Sequence, residues 1–285
     1  MPKRKKSRSN EDSAALSYEI VASVRTDQGC VREGNEDAGR FIKPNDPALL
    51  SAKGLLLIVA DGMGGHLGGE VASRMAVELV GRAYYEDESD AVPALRKALE
   101  EANRRIHEAS LADEALSGMG TTCTALALVG GMAFVAHVGD SRLYLVRNGD
   151  IYLMTEDHSA VMELVKQGII TMDEARHHAD KNIILRALGT HPEVEVSMWE
   201  EPLSIRAGDR YLLCSDGLYD LVEDSEIKQC VASARDPQEA CENLIALAKE
   251  RGGHDNITVA VVSIEPEGSL KEASLRPTRE VEVPV

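Results

Sequence analysis

Short runs of aliphatic and β-branched residues recur along the chain, separated by glycine-rich and polar segments. Runs of this length and composition predict β-strands. Eight segments fit the pattern: Tyr18–Arg25, Leu55–Ala60, Thr122–Val129, Ala133–Val138, Leu143–Val146, Val194–Trp199, Tyr211–Cys214 and Ile257–Ile264. The pair Gly130-Gly131, between the third and the fourth run, predicts a two-residue hairpin turn.

A second pattern, in which apolar residues return every three or four positions, predicts amphipathic helices. It covers residues 70–83, 93–106 and 237–252. The last of these begins with Asp236 and Pro237, an N-cap followed by a proline in the first turn. Strand-rich blocks with paired helices, rather than regular alternation, predict an α+β fold in which packed, largely antiparallel sheets carry helices outside.

One domain is predicted at residues 18–265, between two tails. Residues 1–17 are polar and basic, and residues 266–285 are rich in Glu, Pro and Ser. The basic run in the first tail favours a solvated segment over an anchor for an anionic surface. Residues 158–182 predict a mostly helical insert, rich in charge and histidine. Two interpretations of it stay open: a mobile flap over a site, or a structural helical hairpin.

Charge and cysteine content exclude some classes of protein. The formal charge of −17 argues against binding nucleic acid, because a polyanion meets repulsion over most of the surface. No apolar stretch reaches the roughly 18 residues that predict a membrane span, and no signal-peptide pattern opens the chain. Five cysteines without a Cys-x-x-Cys pair indicate reduced thiols. We therefore expect a cytoplasmic protein.

Four apolar runs each have, at one end, an aspartate next to glycine or a loop. The aspartates are Asp61, Asp140, Asp216 and Asp255. A single loop aspartate is usually a turn former or an N-cap. If the sheets bring four such ends together, however, the carboxylates repel one another, and cations are needed to neutralise them.

Oxygen ligands without His or Cys favour Mg²⁺ or Mn²⁺ over Zn²⁺. Two such ions about 3.5–4 Å apart can activate a water molecule for an in-line attack on a phosphoester. Arg32 is the candidate for orienting the phosphate, because a guanidinium makes paired hydrogen bonds to it. Other phosphate motifs fit poorly: MGGHLGGE lacks the Lys-Ser/Thr of a P-loop.

Seven stretches carry a family resemblance, in order along residues 20–264. They are DQGCVREGNED (27–37), VADGMGGHLGGEVAS (59–73), GMGTT (118–122), HVGDSRLYL (137–145), TEDHS (155–159), CSDGL (214–218) and GGHDNITV (252–259). The chain resembles the type 2C (PPM) metal-dependent serine/threonine protein phosphatases. The resemblance implies a four-layer α-β-β-α fold, with a central β-sandwich flanked by pairs of helices, and hydrolysis of phosphoserine and phosphothreonine in proteins.

Metal ligands follow from the resemblance by motif. Asp61 would bridge two catalytic ions, and the carbonyl of Gly62 would ligate one of them. Asp216 and Asp255 would ligate the other, and Asp140 with Asp216 would form a third, weaker site. The implied cofactor is Mn²⁺ or Mg²⁺, and Arg32, Asp61 and Asp216 are the predicted catalytic residues.

The remaining roles are less complete. Arg32 matches the phosphate-binding arginine of the family, Asp37 matches an acidic metal-site residue, and Glu36 supports it. Many eukaryotic members have a histidine, proposed as general acid, where this chain has Met63. The chain therefore resembles the bacterial-type branch, and its general acid stays open between His66 and a metal-bound water. Bacterial-type members often oppose a serine/threonine kinase, which implies that kinase and its substrates as partners.

Two other functions compete with a protein phosphatase. A metal phosphohydrolase of a small phosphorylated metabolite would share the same metal-binding residues. A pseudophosphatase would bind phosphorylated partners without hydrolysis, although every expected ligand aspartate is present.

Overall fold

The computed structural model describes residues 18–64, 67–199 and 201–267. Its strands form two sheets whose neighbouring strands are all antiparallel. The first sheet contains, in spatial order, β1 (Tyr18–Asp27), β12 (Ile257–Pro266), β11 (Arg210–Cys214), β7 (Arg142–Arg147) and β8 (Asp150–Leu153). The second contains β10 (Leu203–Ser204), β6 (Met132–Val138), β5 (Cys123–Val129), β3 (Leu55–Met63) and β2 (Asp37–Ile42), with β4 (Gly120–Thr121) on β3 and β9 (Ser197–Met198) on β6.

Helices cover the outer faces of both sheets. The helices in the described part of the chain are α1 (Pro47–Lys53), α2 (Leu67–Glu86), α3 (Ala91–Ala112), α4 (Ala160–Lys166), α5 (Met172–Arg176), α6 (Asp216–Tyr219), α7 (Asp224–Ser233) and α8 (Pro237–Glu250), with a 3₁₀ turn at Glu114–Leu116. The pair α2 and α3 packs on the second sheet, and α7 and α8 pack on the first. The predicted four-layer α-β-β-α fold is confirmed.

β3 shows why its sequence is apolar without interruption. Successive strand side chains point to opposite faces of a sheet. Leu57 and Val59 lie in the core between the two sheets, whereas Leu56 and Ile58 lie in the core under α2 and α3. A strand that is buried on both faces needs apolar residues at every position, and the run ends only at Asp61.

Most predicted elements are confirmed, with shifts of a few residues at their ends. Gly130 and Gly131 form the predicted hairpin turn, with φ of 56° and 81°. The Asp236 side chain accepts a hydrogen bond from the N–H of Glu239 and caps α8 as predicted. The predicted strand Val194–Trp199 is wrong in extent, because only Ser197–Met198 pairs with the edge of β6.

The longer elements that were missed are β2, β8, α1 and α7, and the short β4, β10 and α6 were missed as well. The β2 sequence, DAGRFI, alternates poorly and contains glycine, so it lacks the apolar signature of a strand. It is nevertheless held along its whole length by pairing with β3. Long-range pairing of this kind overrides a weak local pattern.

The 158–182 insert contains the two short helices α4 and α5, connected to the rest of the domain at several points. Arg176 donates to the carbonyl oxygen of Tyr219 over 2.6 Å and forms an ion pair with Glu223 at 2.9 Å. Lys181 pairs with Asp220. The insert is thus tied to the segment that follows α6. Its mobility stays a prediction.

The predicted tails lie outside the described residues, apart from Pro266 and Glu267, and so does the basic run near the N-terminus. All five cysteines are free thiols, and Cys123, Cys214 and Cys241 are buried. Within the described residues, every helix is too short or too polar to cross a bilayer.

Candidate metal centre

Five of the predicted acidic residues lie where strands of the two sheets begin or end. Asp61 lies near the end of β3, directly opposite Asp37 at the start of β2. Asp216 opens α6 just after β11, Asp255 precedes β12, and Asp140 lies in the turn between β6 and β7. The alternating up-and-down course of antiparallel strands brings these positions to one end of the sandwich.

A cleft of about 320 Å³ opens at this end. Its lining residues are Arg32, Glu33, Gly34, Glu36, Asp61, Gly62, Met63, Gly64, Asn182, Ile184, Asp216 and Asp255. Six of the eight predicted site residues are therefore on its surface. The other two, Asp37 and Asp140, lie behind the cleft wall and are 8% and 4% exposed.

Asp61 is held in place by its backbone. Its N–H donates to the hydroxyl of Thr122 over 2.8 Å, and its carbonyl oxygen accepts from the hydroxyl of Thr121 over 2.9 Å. Asp37 lies directly opposite Asp61, and its side chain accepts from the hydroxyl of Ser215 over 2.7 Å. Neighbouring carboxyls repel each other when both are charged, which opposes their ionisation in the absence of a cation.

Burial and mutual repulsion raise the pKa values of these acids. Burial, with Asp37 and Asp216 next in importance, raises the pKa of Asp61 well above its usual 3.8. The pKa of Asp216 is raised likewise by burial and then by Asp140. Burial is also the main cause that raises the pKa of Asp37 to about 6 and that of Asp140 to about 7. The free energy cost of charging this region is high unless cations enter it.

Glycines are required at two positions of the cleft wall. A Cβ on Gly62 would lie 2.1 Å from the carbonyl oxygen of Gly69, and a Cβ on Gly69 would lie 1.9 Å from a carboxyl oxygen of Glu36. The glycine-rich stretch after Asp61 thus allows the start of α2 to pack closely against Glu36. Close packing, and not a phosphate cradle, accounts for these glycines.

Comparisons with known proteins decide the family. The family model described as "Protein phosphatase 2C" matches residues 41–271. The serine/threonine phosphatase stp of Listeria monocytogenes is 40% identical over 260 residues, which cover 89% of this chain and 99% of that protein. The chain belongs to the protein phosphatase 2C family.

Solved structures agree with this assignment. The serine/threonine phosphatase PstP/Ppp of Mycobacterium tuberculosis superposes with a TM-score of 0.76 at 38% identity, covering 86% of this chain and 99% of that one. A catalytic domain of PstP in complex with two manganese ions gives a TM-score of 0.75 at 37% identity, covering 87% and 100%. The predicted family and fold are confirmed, and so is the prediction of a protein phosphatase at the level of the family.

The donor groups of this 2C-family site fit a hard divalent cation. Asp61, Asp216 and Asp255 offer carboxylate oxygens at the cleft surface, and Gly62 offers a carbonyl at the same wall. Within the described residues, however, no three Asp, Glu, His or Cys side chains already form a cage for an ion. Other groups engage the carboxylates instead: Asp255 lies 2.6 Å from the Arg32 guanidinium, and Asp37 is bonded to Ser215.

The cleft contains no described histidine that could serve as a general acid. Met63 lies in the lining, at the position where a histidine was expected in eukaryotic members, and His66 lies outside the described residues. His158 is buried, where it accepts from the N–H of Gly139 over 3.0 Å and contacts the hydroxyl of Ser197 at 2.9 Å. Burial lowers the pKa of His158 to about 3, which fits a neutral structural residue.

Sequence reasoning missed three residues of this region. Asn182 and Ile184 line the cleft from the end of the insert, although neither belongs to a motif with recognisable chemistry. Asn256 follows Asp255 and contacts the segment that carries Arg32. The only sequence signal for Asn256 is its position next to Asp255 in the last motif. That position does not reveal which distant segment its side chain contacts.

Proposed function

We propose that the chain is a metal-dependent protein serine/threonine phosphatase that uses two Mn²⁺ or Mg²⁺ ions, with a third, weaker site. The observation that carries the proposal is the set of acidic side chains at the floor of the cleft, whose pKa values are raised by burial and by one another. Cations are what such a set requires, and Arg32 at its rim is what a phosphate requires.

Each acidic residue has a place in the proposed site. Asp61, the carbonyl of Gly62, Asp216 and Asp255 are the residues that would hold the two catalytic metals. Asp140 contributes to the third site together with Asp216. Asp37 and Glu36 support these ligands from the β2 side, where Asp37 lies directly opposite Asp61.

Arg32 is the proposed phosphate ligand. Its side chain is 51% exposed at the mouth of the cleft, and its guanidinium pairs with Asp255. A guanidinium in this position can donate two parallel hydrogen bonds to a phosphate, which fixes both the distance and the orientation of the group. Exposed ion pairs contribute little stability, so the exchange of Asp255 for a phosphate costs little.

When bound, the two ions supply activation of a water molecule and neutralise charge on the transferred phosphate. The chain's own contribution is to hold acidic side chains in place at one end of the sandwich: Thr121 and Thr122 fix the backbone of Asp61, and Ser215 fixes the side chain of Asp37. The general acid stays unassigned, since Met63 lines the cleft at the position where many eukaryotic members have a histidine.

The proposed substrates are phosphorylated proteins, and the proposed partner is a serine/threonine kinase that acts on the same substrates. The relatives named above are serine/threonine phosphatases, which supports this class. We also propose a cytoplasmic location, which the five free thiols support, because reduced cysteines persist in a reducing compartment.

A Mn²⁺ titration of the wild type beside Asp216→Asn tests the proposal. The wild type is expected to hydrolyse phosphothreonine peptides only with metal, and the variant to lose about 10³-fold or more of that rate, because a ligand and its charge are gone. Asp113→Asn is the matched control, since Asp113 is an exposed aspartate at the end of α3.

Two results would redirect the proposal. Turnover of sugar phosphates with inactivity on the peptides would indicate a metabolite phosphohydrolase. Peptide binding by a wild type that shows no metal-dependent hydrolysis would indicate a pseudophosphatase.

A further inference from the structure

The loop that carries Arg32 has no regular secondary structure of its own. It comprises residues 28–36, between the end of β1 and the start of β2, and most of its side chains are exposed. An arginine that binds phosphate from a flexible loop would lose conformational entropy each time substrate binds. The contacts that hold this loop therefore bear on catalysis.

Asn256 joins both ends of this loop with one side chain. Its Nδ2 group donates to the carbonyl oxygens of Gln28 and Gly34, both over 2.9 Å. Its Oδ1 accepts from the N–H of Glu36 over 2.8 Å. Both donors and the acceptor of the amide are used, and the residue is 5% exposed.

The amide is the one side chain of this size that can make this set of bonds. Two carbonyl oxygens need donors, and one N–H needs an acceptor, so aspartate or leucine of similar volume would leave buried groups unpaired. The loop also rests on the segment before Asn256: Cys30 donates its N–H to the carbonyl oxygen of Gly253 over 2.8 Å. Gly29 lies so close that a Cβ there would be 2.2 Å from the carbonyl oxygen of Asp255.

We propose that Asn256 is a positioning residue for phosphate binding, because it fixes the 28–36 loop so that Arg32 stands beside Asp255 at the mouth of the cleft. The inference rests on the proposed role of Arg32. Gln28 completes the arrangement from inside the loop, since its side chain donates to the carbonyl oxygen of Arg32 over 2.6 Å.

The chain contains a matched control for this residue. Asn103 on α3 is 1% exposed and makes the same kind of bonds to another loop. Its Nδ2 donates to the carbonyl oxygens of His191 and Pro192, over 3.1 and 3.2 Å, and its Oδ1 accepts from the N–H of Gly189 over 2.8 Å. Asn103 does not line the cleft. Asn103→Ala thus removes an equal number of buried hydrogen bonds without touching the Arg32 loop.

The experiment is a double-mutant cycle with p-nitrophenyl phosphate at saturating Mn²⁺. Asn256→Ala is expected to raise KM, and the inhibition constant of inorganic phosphate, by about tenfold. Asn103→Ala and Asn256→Ala are expected to lower Tm by similar amounts, because each removes three buried hydrogen bonds. Asn103→Ala is expected to leave KM and the inhibition constant within about twofold of the wild-type values. The backbone N–H of residue 256, which donates to Asp255, stays in both variants.

Non-additivity distinguishes positioning from a general loss of stability. If Asn256 acts through Arg32, the double variant Arg32→Ala with Asn256→Ala binds phosphate no more weakly than Arg32→Ala alone, within about twofold. Additive effects, or an unchanged KM in Asn256→Ala, would overturn the inference. Should Asn256→Ala fail to fold, Gln28→Ala replaces it, with an expected rise in KM of about threefold and the same non-additivity.

A second readout separates this inference from the proposed function. Hydrogen exchange in residues 28–36 is expected to accelerate in Asn256→Ala and to stay unchanged in Asn103→Ala. If the wild type shows no metal-dependent hydrolysis, the proposed function fails. Calorimetric titration of the same variants with inorganic phosphate then tests the positioning role by itself, and equal affinities in all of them would overturn it.

Discussion

Carboxylates are buried in two different ways in this molecule. Asp209 in the first sheet faces Arg147, with Nε to Oδ1 at 2.7 Å and Nη2 to Oδ2 at 2.6 Å, and Asp157 faces Arg142 at 2.7 Å. At the cleft end, Asp37 and Asp140 are equally buried, yet in the described part of the chain no Lys or Arg forms an ion pair with either of them. Within the described residues, Asp209 and Asp157 therefore have guanidinium partners, whereas Asp37 and Asp140 have none.

The difference teaches where a cation from outside is required. A buried charge is tolerated when a partner neutralises it, and a guanidinium does so with two hydrogen bonds. Arg147 and Asp209 show that this fold can build such pairs. Their absence around Asp37 and Asp140 in the described residues is therefore a property of that end of the sandwich, where metal ions would take the place of the guanidinium groups.

Removing the guanidinium from the buried ion pair between Arg147 and Asp209 gives the largest expected change in stability. Arg147→Met keeps most of the apolar stem but leaves Asp209, whose side chain is 2% exposed, without its cation. We expect the free energy of unfolding to fall by about 3–5 kcal/mol, measured by urea denaturation. A loss below about 1 kcal/mol would mean that the buried pair is not what neutralises Asp209, and would weaken the comparison.

Binding of metal ions by the acidic residues at the cleft end is expected to stabilise the fold by a smaller amount. Mn²⁺ at 100 times its dissociation constant should add about 2.7 kcal/mol to the wild type, because it binds only the folded chain. Asp61→Asn should lose most of this gain, whereas Arg147→Met should keep it. Scanning calorimetry with and without chelator measures both, and an equal gain in Asp61→Asn would argue against a metal site at this residue.

The smallest expected effect concerns pH in the presence of chelator. Because burial raises the pKa of Asp140 from 3.8 to about 7, the folded chain retains a proton that the unfolded chain has released. The stability contributed by this proton is present below pH 3.8 and is lost as pH rises through about 7. Asp140→Asn removes this contribution to the pH dependence, so above pH 7 the variant should exceed the wild type by about 1–3 kcal/mol.

The difference in stability between the wild type and Asp140→Asn also separates the pH dependence due to Asp140 from that due to two buried histidines. Burial lowers the pKa values of His137 and His158 to about 4 and about 3, so their contribution to stability rises with pH between these values and about 6.5. Both proteins contain them, and the difference cancels their contribution. Chemical denaturation at several pH values measures the difference, and one that does not change with pH would contradict a raised pKa of Asp140.

Much of the fold and of the candidate site could be predicted from local patterns. Strands β3, β5 and β12 consist mostly of apolar residues, which is a strong signal because nearly all of their residues are buried. The repeated pattern of an apolar run with an aspartate at one end singled out Asp61, Asp140, Asp216 and Asp255. These features depend on residues that are close in sequence, so the chain alone determined them.

The tertiary structure decided what depends on contacts between distant segments. β2 exists because β3 pairs with it, and its own residues do not demand a strand. The structure put Asn182 and Ile184 into the cleft, and it put Asn256, more than 200 residues away, against the Arg32 loop. It also separated Asp61 at the cleft surface from Asp140 behind it. A side chain's hydrogen-bond partner and the pKa of a carboxyl are set by what packs around it, and for these residues that environment comes from remote parts of the chain.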